Sequence, residues 1–220
     1  MRARRGASRR SEAIGTAALQ IADEHGLSKL TIRRVADAVG VPPMTLYGSI
    51  DSKEDLLVEV ARRAFDDLVL APPTRSWEDD IVSSMAALRQ VMLTHPSLAQ
   101  VMATQRVSVD VVGLATLMDA VLRDLERGGV DSRVIVDGMF NLAKFTIGYV
   151  LFELPRRDPE SSRPRHGEGI ADLSTVSRLA ADLQLTHLQK FAAEVMDIRR
   201  AEYFEDGIRT LVRGLPREAG

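Results

Sequence analysis

The sequence contains no cysteine, which excludes disulfides, cysteine nucleophiles and thiolate metal sites. Long apolar runs are missing as well. The longest strongly apolar stretch, residues 145–152, is far shorter than the roughly 20 residues a membrane helix needs. The arginine-rich start is not followed by an apolar core of signal-peptide length. These absences lead us to expect a soluble, cytoplasmic protein with no membrane partner. No GxSxG, HExxH, P-loop or GxGxxG pattern occurs, and the four histidines do not cluster at metal-ligand spacing. The expectation is therefore a protein that is not an enzyme, with no metal site and no cofactor. Alternating strand patterns and internal repeats are also missing, which leaves an all-α fold.

What is present is an uneven charge distribution on an ordinary globular composition, 45% hydrophobic and 27% charged over 220 residues. Residues 1–50 hold eight Lys or Arg against four Asp or Glu, whereas the remainder holds 21 against 27. That asymmetry suits an anion-binding head on an acidic body.

Helical periodicity runs through most of the chain. Ile14, Ala17, Ala18 and Ile21 form the stripe of a first helix that stops at His25-Gly26. Thr31 can cap a second, which turns Val35, Ala36 and Val39 inward and ends at Gly40. Pro42 and Pro43 suit only the first turn of a short third helix, over about 43–49. Ser52 with Asp55 reads as a capping box opening a fourth helix to about residue 69, and Ala71-Pro72-Pro73 ends it. The expected division is a head of residues 1–70, with a flexible basic arm over 1–9 and the fourth helix linking to the body, and a body of residues 71–220. In the body, helical patterns cover about 77–94, 96–103, 109–127, 132–153, 174–183, 186–196 and 198–214. The proline-containing run 155–171 is expected to be a mobile surface loop. Glu78, Asp79 and Asp80 open a helix, where acids suit the positive end of its dipole.

Short helices joined by the tight turn Val39-Gly40-Val41 describe a helix-turn-helix unit. Its residues, LTIRRVADAVGVPPMTLYGSIDSKEDLL from Leu30 to Leu57, resemble the signature of the tetracycline-repressor (TetR) family. Thr31, Arg33, Ala36, Gly40, Val41, Thr45, Leu46, Tyr47, Lys53, Leu56 and Leu57 all fit the pattern with unbroken spacing. The resemblance implies a transcription regulator, a repressor by family habit, that binds a palindromic double-stranded DNA operator as a homodimer and is released by a small-molecule effector. It implies that Tyr47 and Lys53 contact phosphates and that Arg33 and Thr45 reach base edges, with Thr31, Pro43, Met44 and Ser49 completing the DNA-binding set. Pro43 has no N–H to donate and can read only shape or methyl groups. Gly48, Ser49 and Ile50 replace bulkier family residues, which predicts a different operator. Gly48, Ser49 and Pro43 leave open a helical adaptor that kept the fold and lost specific DNA binding.

In the body, Met139, Leu142, Ala143, Thr146, Ile147, Val150 and Leu151 form one stripe, with Phe140 and Phe152 apolar on another side. A helix apolar on several faces lies between two partners. Phe204, Ile208, Leu211, Val212 and Leu215 form the stripe of a terminal helix. By the resemblance these two helices pair with their copies in a second subunit. Aligned on the family through Trp77, LTHPSLAQVMATQ and Gly128-Gly129, the effector contacts fall on Val69, Ser84, Leu88, Met102, Gln105 and Val121. Met102 stands where the family's metal-binding histidine would be, and a thioether is a poor magnesium ligand. The expectation is therefore a largely hydrophobic effector. Leu88, Met102, Val121, Phe140 and Phe152 would form walls, with Ser84, Gln105 and Lys144 as polar anchors. The competing reading of each residue is plain core packing, and His95 is read as a structural residue at a helix end.

Overall fold

The computed structural model describes residues 2–47, 50–104, 111–154, 156–157, 164–165, 173–193 and 201–218. The head consists of α1 (Arg2–His25), α2 (Ile32–Val39), a single 3-10 turn at Pro43–Thr45, and α3 (Lys53–Phe65). Ile14, Ala18 and Ala22 of α1 pack with Val35 and Ala36 of α2, Leu46, and Leu56, Val60 and Ala64 of α3 in one dry core. Both predicted caps are present. Thr31 Oγ1 accepts from the Arg34 amide, and Ser52 and Asp55 form a reciprocal capping box.

The body is a bundle of α4 (Trp77–Thr94), α5 (Pro96–Thr104), α6 (Val112–Arg127), α7 (Ile135–Glu153) and α10 (Ala201–Arg213). α4, α6, α7 and α10 pack on one another, and α5 touches both the body helices and α1 and α3 of the head. A hairpin of α8 (Leu173–Asp182) and α9 (Thr186–Lys190) packs on itself. The acids that open α4 each meet an arginine from elsewhere. Asp79 pairs with Arg209 at 2.7 Å, Glu78 with Arg213 at 3.2 Å, and Asp80 with Arg127 at 2.9 Å. At the far end, Arg217 stacks 4.5 Å over the Trp77 ring and donates to the Gly128 carbonyl. This straps the C-terminal residues to the α6–α7 corner.

Several expectations are corrected. Over its described residues the recognition segment 43–49 forms no α-helix. Only Pro43–Thr45 form a 3-10 turn, followed by a turn at Leu46 and Tyr47, while Gly48 and Ser49 lie outside the described residues. The Thr45 and Leu46 amides close on the Pro42 and Pro43 carbonyls at 2.8 and 3.0 Å, the tighter winding common at helix starts. α1 starts at Arg2, so the arginine-bearing residues expected as a free arm continue the helix backbone. Ala and Arg are good helix formers, and no proline interrupts them. α3 ends at Phe65 rather than near residue 69. Arg156–Arg157 pairs antiparallel with Pro164–Arg165 inside the segment expected to be loop, a ladder too short to leave a periodic pattern. The rest of that segment lies outside the described residues.

α7 is also long and apolar enough to cross a membrane by length and composition, which the uninterrupted run 145–152 did not reveal. In this fold only one side of it faces the interior. Met139, Leu142, Thr146 and Val150 are buried, and the Thr146 hydroxyl meets the Met85 sulfur at 3.5 Å.

Candidate nucleic-acid interface

α2 ends because Gly40 takes the left-handed conformation, φ 72° and ψ 33°, which costs glycine little. The Val41 amide closes back on the Ala36 carbonyl at 3.0 Å, fixing the direction in which the chain leaves. Pro42 continues it extended into the 3-10 turn. Leu46, fully buried, pins that turn to the head core, and Ile50 follows it inward. Pinning one side chain presents its neighbours. Met44 is 77% exposed and Tyr47 51% exposed, with Thr45 exposed between them.

Two cationic edges flank this turn. Arg33 and Arg34 are exposed in the first turn of α2, and Lys53 is exposed at the start of α3. The N-terminus of α3 adds its own partial positive charge. Asp55 would oppose an anion there, but its carboxylate is occupied. It accepts from the Asp51 and Ser52 amides, both at 2.9 Å. The Asp51 amide first, then the Ser52 hydroxyl and amide, hold it below the usual carboxylate range. The arrangement can place cations and hydrogen-bond donors along a phosphate backbone, with Thr45 and Met44 foremost between them.

In the body, Ser84 and Leu88 of α4 and Val121 of α6 are buried, and Met102 of α5 is partly buried against the same apolar cluster. Arg89, one residue beyond Leu88, forms a bidentate pair with Glu153. Its guanidinium lies 5.4 Å from the Phe204 ring centroid and 5.9 Å from that of Tyr149. Burial pushes the Tyr149 hydroxyl up, and the Glu153 charge adds to the effect.

Two family models cover most of this chain. Residues 14–60 match the bacterial regulatory proteins of the tetR family, and residues 71–218 match the tetracyclin repressor-like C-terminal domain. The chain belongs to the TetR family of bacterial regulatory proteins. Among curated TetR-family relatives, it is 27% identical over 211 residues to the class D tetracycline repressor of Escherichia coli, covering 92% of this chain and 87% of that one. It is 33% identical over 93 residues to an HTH-type transcriptional regulator of Saccharopolyspora erythraea, 42% of this chain and 39% of that regulator's length. Its fold is that of Streptomyces coelicolor ActR, solved in complex with actinorhodin, with TM-score 0.75, 20% identity, and coverage of 93% and 95%. It is also that of BioQ, solved with its double-stranded DNA operator, with TM-score 0.59, 23% identity, and coverage of 82% and 98%.

Within this TetR-family head, Thr31, Arg33, Met44, Thr45, Tyr47 and Lys53 are exposed and Pro43 partly so, on α2, the 3-10 turn and the start of α3, with Leu46 buried. Ser49 lies outside the described residues. Thr31 is partly committed, since its hydroxyl oxygen accepts from Arg34 at 3.3 Å. Arg34, exposed beside Arg33, was passed over because the family pattern marks only its neighbour.

In the TetR-like body, Ser84, Leu88 and Val121 are buried and Met102 partly so, but Phe140, Lys144 and Phe152 are exposed. Phe140 and Phe152 are 47% and 74% exposed, and Lys144 is exposed. They stand on the sides of α7 that α4 and α10 leave open, because the inward side is taken by Met139, Leu142, Thr146 and Val150. Gln105 is outside the described residues. Among the described residues, no group of three or more His, Asp or Glu is placed to hold a metal ion.

Proposed function

We propose that this TetR-family protein is a transcriptional repressor that binds a palindromic operator as a homodimer and is released by a small, largely hydrophobic effector. The observation that supports the DNA-binding part is the exposure of Arg33, Thr45, Tyr47 and Lys53 in a head whose turn is anchored by buried Leu46. Two-fold symmetry would present two such heads about 34 Å apart, one turn of duplex. The apolar residues left exposed on α7, Val136, Phe140 and Leu151, support that helix as half of a subunit interface. The interior position of Ser84, Leu88, Met102 and Val121 supports an effector that is mostly apolar and carries no chelated metal. ActR, which shares the fold, was solved with actinorhodin, and that precedent is consistent with an effector of this general kind. A regulator of this description works in the cytoplasm.

The test is a fluorescence-anisotropy titration against the DNA upstream of the protein's own gene, at two salt concentrations. Tight binding at one palindrome, with log affinity falling linearly against log salt, is expected because phosphate contacts release counterions. Weak binding that ignores DNA sequence, there and on a genomic fragment library, would replace this reading with the adaptor.

A further inference from the structure

One cluster of titratable groups lies outside both the DNA face and the body interior. His95 closes the end of α4, and its ring bridges two carboxylates of the head. Nδ1 lies 2.9 Å from an oxygen of Asp23 on α1, and Nε2 lies 2.9 Å from an oxygen of Asp67, just past the end of α3. The second oxygen of Asp23 accepts from the Ser97 amide at 3.0 Å, so a head residue caps the first turn of α5. Arg63 of α3 approaches Asp67 at 3.4 Å and reaches Thr16 of α1 at 3.3 Å. The ring is largely buried, its side chain 15% exposed.

We propose that His95 is a positioning residue that joins head to body through Asp23 and Asp67, and that the joint is complete only while its ring is protonated. The argument is the donor inventory of the ring. A neutral imidazole has one N–H and can donate to only one carboxylate, whereas an imidazolium donates to both. Two carboxylates at opposite ring nitrogens, each at hydrogen-bond distance, are fully satisfied by the charged form alone. The charged groups facing the ring are Asp23 from α1 and Asp67 and Arg63 from the end of α3, with Asp66 beyond at 3.7 Å from Arg63. α5 contributes the Ser97 amide and has no Asp, Glu, Lys or Arg along its length. Asp67 is held below the usual carboxylate range, with the His95 contact as the largest cause. Loss of the ring proton leaves one carboxylate facing a ring nitrogen that no longer donates, and so weakens one of the two polar contacts between the end of α4 and the head. The cluster therefore makes the link between body and head depend on the protonation state of one ring. Its role in operator binding rests on the function proposed above, but the joint itself does not.

The absence of native cysteine allows a direct test on the full chain. The exposed residues Asp37 on α2 and Glu126 on α6 are changed to cysteine and spin-labelled. Labelled chain is diluted with unlabelled chain, and head-to-body distances are read without DNA. One narrow distance is expected at pH 6 and a broadened distribution at pH 8.5. His95→Gln should be broad at both values. Asp67→Ala, which leaves Nε2 without a partner, should match it, and because the Asp67 side chain is about half exposed this change leaves the core intact. Asp67→Asn should instead stay narrow at both values, because its amide accepts from the charged ring and donates to the neutral one. Narrow distances in Asp67→Ala at both pH values, or a wild-type distance that does not change with pH, would overturn the joint. On the operator, wild-type affinity should change about tenfold across the same range and that of Asp67→Ala less than about twofold. Equal changes in both proteins would overturn the positioning role. Absence of operator binding at either pH would overturn the operator reading, and the distances would still decide the joint.

Discussion

Leu46 and its neighbours show how one buried side chain aims several exposed ones. Leu46 is fully buried while Met44, two residues away, is 77% exposed. Leu46→Ala therefore removes a core contact and should cost about 2–5 kcal/mol in urea unfolding, whereas Met44→Ala should stay within about 0.5 kcal/mol. Tyr47 is a different case, since half of its surface is exposed and its removal opens no cavity. Tyr47→Ala should leave the unfolding midpoint nearly unchanged and weaken operator binding at least about tenfold, the scale of one lost positioning contact. Wild-type affinity for the Tyr47→Ala protein would show that the recognition turn has been placed wrongly.

At the scale of elements, the start and stop of a helix are set by contacts within four residues, which is why Thr31, Gly40 and Ser52 could be read directly from their neighbours. The faces of α7 could not be read that way. Its stripe is apolar nearly all round, and which side faces inward depends on α4 and α10, far away in sequence. For that reason Phe140 and Lys144 were grouped with Ser84 on paper and stand apart from it in space. Arg33, Thr45, Tyr47 and Lys53 are exposed, as the sequence pattern leads one to expect, but the 3-10 winding at Pro43–Thr45 left no periodicity to read.

Gly207 illustrates the same limit. In a sequence it weakens α10, yet a Cβ there would come 2.3 Å from the Phe145 ring, so its bareness is what lets α7 and α10 close. Gly207→Ala should destabilise by about 1–3 kcal/mol despite its better helix propensity, measured by thermal unfolding. Asp131, at the α6–α7 corner, carries a pH dependence. The Arg133 side chain, then its amide, hold the Asp131 carboxyl at about 2. A depressed native value stabilises the fold above the unfolded value of about 3.9 and ceases to do so as pH falls through the native one. Thermal midpoints of Asp131→Asn should thus fall less steeply than wild type between about pH 4 and pH 2. Parallel slopes would show that the pair contributes nothing.

The whole molecule leaves apolar surface where one subunit alone has no use for it. On α7, Val136, Phe140 and Leu151 recur at helical spacing and are 50%, 47% and 39% exposed, while the opposite side of the same helix is dry core. Exposure of that kind on a helix already packed along its length is relieved by a copy of itself across a two-fold axis. Phe140→Glu tests this without touching the subunit core. Around a two-fold axis the substitution places two like charges in one apolar interface, which costs more than the contact it removes. The variant should sediment as a folded monomer at micromolar concentration where wild type is a dimer, with its helical circular dichroism unchanged. Operator affinity should fall by at least about 100-fold, because the second head no longer binds at the high effective concentration set by the first. A Phe140→Glu protein that remains dimeric would move the interface away from this side of α7. One that becomes monomeric yet keeps its operator affinity would show that a single head suffices, and would remove the need for a palindrome.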